Sequence, residues 1–144
     1  MSFQRFLDAQ KTTYADALRE ISNSRKQSHW MWFIFPQLKG LGRSQTAQFY
    51  GLENLEEARD FLQHPILGQR LKEITSALNG QSESDPHFVF GSPDDLKLQS
   101  SLTLFSLADG SAESLFTDAL VKFFNSEQDQ RTLEILNYNQ SDRS

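Results

Sequence analysis

The amino-acid sequence predicts an all-α fold, a compact single-domain bundle of about six to eight short helices. Three observations lead there. Apolar residues recur at steps of three and four through most of the chain, and no stretch alternates as a half-buried strand does. The periodic stretches are punctuated by Ser, Asn, Pro and Gly placed as helix start and stop signals. At 144 residues the chain suits one domain with one core, taken as residues 1–140 with 141–144 as a frayed tail.

The first helix is predicted over Phe3–Ile21, where Phe3, Phe6, Leu7, Tyr14, Leu18 and Ile21 share a face. Ser2 is its expected N-cap, and Asn23-Ser24 its exit. Ser28-His29-Trp30-Met31-Trp32-Phe33-Ile34-Phe35-Pro36-Gln37 follows; it holds both tryptophans and is apolar on every side. Such a segment is buried whatever its local structure, and Pro36 ends any helix within it near Phe35. Gly40-Leu41-Gly42-Arg43 reads as a loop feeding a helix from Ser44 or Gln45 to Gly51. Asn54-Leu55-Glu56-Glu57 resembles a capping box and opens the next helix. His64-Pro65 breaks the chain, with Pro65 expected in the first turn of a helix that carries Leu67, Leu71, Ile74 and Leu78 to Asn79-Gly80.

Gln81–Pro86 is polar and without period, hence a loop. Ser92-Pro93-Asp94-Asp95 then reads as a helix start, with Ser92 as N-cap, Pro93 at the first helical position and both carboxylates where the helix dipole favours them. This helix extends to about Ala108, closed by Asp109-Gly110. Its leucines, Leu96, Leu98, Leu102 and Leu104, fall on several sides, so it belongs at the centre, and its polar Lys97, Ser100, Ser101 and Thr103 need partners or a cavity. A helix with Leu115, Phe116, Ala119, Leu120 and Phe123 on one face follows, then a short one with Leu133, Ile135 and Leu136.

Composition excludes several function classes. A formal charge of −5 argues against a nucleic-acid partner, which needs a basic face. The absence of cysteine removes disulfides, thiolate metal sites and cysteine nucleophiles. His29, His64 and His87 are too scattered for a metal site. The apolar run Trp30–Phe35 is too short for a membrane span, and the basic and acidic residues of the first helix do not form a signal peptide, so a cytoplasmic setting is expected. Gly40-Leu41-Gly42 lacks the spacing of a Walker loop or a dinucleotide fingerprint, and no cofactor is expected. Nothing in the chain identifies a protein partner.

Two segments stand out chemically, Ser28–Gln37 with its following loop and Phe90–Phe105. Both resemble the family catalogued as domain of unknown function 1810. The resemblance extends from about Phe3 to Leu136 and implies a compact, mainly helical domain of bacterial type. Some members carry a calpastatin-like label. The resemblance brings no activity, cofactor or catalytic residue.

The leading functional expectation is a pocket between the aromatic segment and the helix starting at Pro93, holding a small anionic or nucleotide-like ligand. Trp30 and Trp32 would meet its flat face, and Gln37, Arg43, Lys97 and Ser100 its polar groups. If hydrolysis occurs there, His29, Asp94 and Asp95 are the candidate acid–base groups; adjacent carboxylates on a helix diverge by about 100°, so the two aspartates would not share one substrate. The alternative is a non-catalytic protein-interaction module whose aromatic segment is purely core.

Overall fold

The computed structural model describes residues 2–111 and 113–143, with side chains through Asn137. It consists of α1 (Gln4–Lys11), α2 (Tyr14–Ser22), α3 (Met31–Ile34), α4 (Gln45–Tyr50), α5 (Leu55–Gln63), α6 (Leu67–Gly80), α7 (Pro86–Phe90), α8 (Asp94–Asp109), α9 (Leu115–Phe124) and α10 (Gln130–Arg143). Seven of these ten helices have seven or more residues, and the described residues contain no strand, so the all-α expectation holds. The expected tail is not separated from α10, whose backbone runs to Arg143; Ser144 lies outside the described residues.

The centre belongs to α8, as three of its four leucines require; Leu96, in its first turn, is exposed. Leu98, Leu102, Leu104, Phe105 and Ala108 are all buried, and the helix packs against α3, α5, α7, α9 and α10. A column of aromatic rings crosses this core. Phe6 meets Phe61 edge-on at 5.1 Å between centroids, Phe61 meets Phe105 at 5.6 Å, and Phe105 meets Phe116 at 5.7 Å. Ring pairs at these separations add attraction beyond the area they bury.

The polar residues of α8 are treated unequally. Thr103 donates to the Gln99 carbonyl and accepts the Asp129 backbone N–H at 2.9 Å, which fastens the entrance of α10 to the central helix. Ser100 donates to the Leu96 carbonyl. The buried Ser101 hydroxyl has no hydrogen-bond partner among the described residues.

Three local expectations are corrected. The helix predicted over Phe3–Ile21 divides at Thr12-Thr13 into α1 and α2. The Thr13 hydroxyl donates back to the Ala9 carbonyl at 2.6 Å, a competing local bond that accompanies the break. Ser92 does not cap α8. Pro93 occupies the cap position, Asp95 N–H donates to the Gly91 carbonyl, and the Asp95 carboxylate accepts the Leu96 N–H. Pro65 does not lie in the first turn of α6, which begins at Leu67; His64 Nδ1 accepts the Ile66 and Leu67 N–H groups there. The segment His87–Phe90, unassigned from sequence, forms α7 with Pro86 at its first position and Asp85 as cap.

The corner between α5 and α6 is tighter than any side chain allows. A Cβ built on Gly68 would fall 1.9 Å from the Leu62 carbonyl oxygen, so the two helices meet backbone to backbone. Gly68→Ala therefore forces the corner apart. We expect a loss of at least about 3 kcal/mol of stability, read as a lowered urea midpoint at unchanged slope. A midpoint unchanged from wild type would refute the close approach.

Candidate functional site

The aromatic segment is arranged around a buried carboxylate. Glu20, near the end of α2, is only 4% exposed. Its oxygens accept the backbone N–H of Gln27 (2.6 Å) and of Ser28 (2.9 Å), the Ser28 hydroxyl (2.6 Å) and the Trp30 indole N–H (3.0 Å). Burial alone would raise the Glu20 pKa, but these hydrogen bonds outweigh it and bring it from an ordinary 4.5 down to about 2. The same carboxylate thus supplies the partner that a buried indole needs and fixes the approach to α3.

Trp30, 1% exposed, lies in the core against Phe35 and Phe90. Met31, Ile34 and Phe35 are buried beside it, while Trp32 is only half-buried and turns towards α8. Lys97, on the first turn of α8, places its ammonium 3.9 Å from the centre of the Trp32 ring. It also lies 3.2 Å from Asp94, whose other oxygen pairs with Lys26 at 2.9 Å. Burial disfavours the Asp94 charge, yet the ion pairs with Lys26 and Lys97 prevail and hold its carboxyl below the usual range.

A cleft of about 320 Å³ opens between this cluster and the start of α10. Its polar lining is Gln37, Lys97, Ser100, Asp129 and Arg131, and its apolar walls include Trp32 and Leu41. A volume near the lower end of the usual range suits a small molecule. Gln37 is held there by backbone: its carbonyl accepts the Leu52 N–H at 3.0 Å, and Lys39 N–H donates to the Leu52 carbonyl at 2.8 Å, forming a single parallel bridge between Leu38 and Leu52. Gly51 permits the crossing, since a Cβ there would meet Lys39 Cα at 2.7 Å.

Of the residues singled out from sequence, Trp32, Gln37, Lys97 and Ser100 line this cleft. Trp30 and Asp94 do not, the first being core and the second occupied between two lysines. His29 and Arg43 are exposed away from the lining. Asp95 faces His87, at 3.4 Å, and diverges from Asp94 as helix geometry demands. Sequence reasoning missed Asp129 and Arg131. The available signal was the capping pattern of Asp129, whose carboxylate accepts both the backbone N–H and the hydroxyl of Thr132. The described residues contain no group of His, Asp and Glu that could hold a metal ion, and no helix among them is long and apolar enough to cross a membrane.

An all-α domain built on one central helix, with a small mixed-charge cleft beside it, is the class these features define. The chain belongs to the family described as Protein of unknown function (DUF1810), which it matches over residues 1–136. It is similar to a solved structure, the conserved hypothetical protein Rv1873 from Mycobacterium tuberculosis, determined at 1.38 Å. The two are 44% identical, with a TM-score of 0.89 over 93% of this chain and 95% of that one. No curated protein matches the chain.

The Glu20 network sets a pH dependence. Because its folded pKa is depressed, its contribution is full above the ordinary 4.5 and is lost as pH falls towards about 2. A depression of this size corresponds to something on the order of 3 kcal/mol. We expect Glu20→Gln to be less stable than wild type at pH 7 and to converge with it as the pH falls from 5 towards 2. Parallel stability curves for the two proteins across that interval would contradict this assignment.

Proposed function

We propose that this protein binds a small anionic, nucleotide-like ligand in the cleft between the aromatic segment and α8, and that it does so without catalysing hydrolysis. The observation that carries the reading is convergence. Trp32 and Gln37 come from one unusual segment, Lys97 and Ser100 from the other, and all four line the same cleft beside Arg131. Lys97 and Arg131 offer positive charge to an anion. Asp94 remains paired with Lys26, so Lys97 can turn to a ligand without leaving that carboxylate alone. Trp32 and Leu41 offer apolar surface to the ligand's body.

Binding is favoured over hydrolysis because the expected acid–base groups are elsewhere. His29, Asp94 and Asp95 do not line the cleft, and the Ser100 hydroxyl is engaged by a backbone carbonyl rather than a base. The alternative, a protein-interaction module with a purely packed aromatic segment, fits Trp30, Met31, Ile34 and Phe35 but leaves the half-buried Trp32 unexplained. A cytoplasmic setting in a bacterium accords with the chemistry proposed and with the mycobacterial relative.

The two tryptophans make the proposal measurable. Trp30 is sealed in the core and Trp32 lines the cleft, so a ligand should alter the emission of Trp32 alone. Titration with adenosine or uridine monophosphate should change tryptophan fluorescence in the wild type and leave Trp32→Phe unresponsive. Lys97→Met and Arg131→Met should each weaken binding by about tenfold, the worth of one charge-assisted hydrogen bond. No emission change and no heat of binding at millimolar nucleotide would overturn the reading.

A further inference from the structure

Gln37 is 8% exposed, and its side-chain amide has no hydrogen-bond partner among the described residues. An amide carries two donors and an acceptor with two lone pairs, and those of Gln37 are open to the cleft it lines rather than sealed in the core. The buried amides of Gln10 and Gln81 are engaged by protein groups. Gln10 donates to the Phe33 carbonyl, and Gln81 donates to the Leu78 and Glu83 carbonyls while accepting the Glu83 N–H. Gln37 departs from that pattern, and it does so while lining the cleft. Its backbone is held in place, because its own carbonyl and the Lys39 N–H both bond to Leu52.

We infer that Gln37 is the specificity-determining residue of the cleft, reading a donor–acceptor edge on the ligand. The inference rests on the anion-binding reading above and narrows it. The required ligand presents adjacent N–H and acceptor atoms in one plane, as a nucleobase does, on the same molecule as its anionic group. A planar amide meets such an edge with two parallel hydrogen bonds, the geometry by which glutamine reads adenine. A bare phosphate or a sugar phosphate satisfies Lys97 and Arg131 but leaves the Gln37 amide to water. The cleft therefore separates base-bearing anions from simple ones by the pair of hydrogen bonds that only a base edge offers this amide. Asp129 strengthens the assignment: one of its oxygens caps α10, and the other is available to a ligand hydroxyl such as those of ribose.

The test is a comparison of four probes by calorimetry and tryptophan fluorescence: adenosine monophosphate, uridine monophosphate, ribose 5-phosphate and inorganic phosphate. In the wild type at least one nucleotide should bind about tenfold or more tightly than ribose 5-phosphate, the discrimination expected of one bidentate pair. Gln37→Met, which keeps the length of the side chain and removes its hydrogen bonds, should bring that ratio close to one. Gln37→Glu, which has no amide donor, should lower nucleotide affinity too. Equal affinity of the wild type for all four probes would overturn the inference while leaving an anion site in place. Failure of every probe to bind would overturn both. The wild-type comparison can refute the inference even if a Gln37 variant does not fold.

Discussion

A helix that is apolar on every side cannot lie on a surface, and that constraint organises this molecule. Because α8 must be enclosed, other helices pack around it, and the polar residues it carries are drawn into the interior with it. Thr103 turns that burden into a fastening by holding Asp129 ahead of α10. Ser100 and Lys97, one turn apart on the same helix, are left at the edge of the enclosure, where the wall is completed by Trp32 and Gln37. The cleft is thus where the covering of α8 stops.

A second constraint comes from the cost of burying an indole. Trp30 is sealed in the core because Glu20 is buried with it, and Glu20 is tolerable there because four hydrogen bonds converge on its carboxylate. The consequence is that two tryptophans separated by one residue serve different ends. Trp30 packs and Trp32 borders the cleft, with the Lys97 ammonium over its ring. Charge, burial and orientation in this region are therefore set together by residues on α2, α3 and α8.

Local physics made the fold legible in the sequence. Steps of three and four along Leu55–Leu62 or Leu115–Phe123 report helices, and the cap Asn54 acts within a turn of itself. The break at Thr12-Thr13 was not visible, because apolar spacing continues across it and the competing hydroxyl bond is a weak local signal. The cleft was legible in half. Trp32, Gln37, Lys97 and Ser100 are conspicuous because their chemistry conflicts with their apolar surroundings. Arg131 is an ordinary arginine on an ordinary helix, and tertiary contacts with α8, among them the bond from Asp129 N–H to Thr103, bring it near. Periodicity likewise could not tell which tryptophan faced inward, since that depends on Glu20 reaching Trp30 across ten positions of sequence.

The bridge between Leu38 and Leu52 closes the neck of a loop that contains Leu41, Gly42, Arg43 and all of α4. Chain closed at its base in this way can be lengthened at a cost that grows only slowly, while the base itself stays in register. Gln37 stands just outside the neck and Leu41 and Gly42 just inside it, yet all three border the same cleft. One part of the cleft wall is consequently rooted in the core, and another is carried on the loop that the bridge closes. A change in the length of that loop would reshape the rim while the backbone of Gln37 keeps its position.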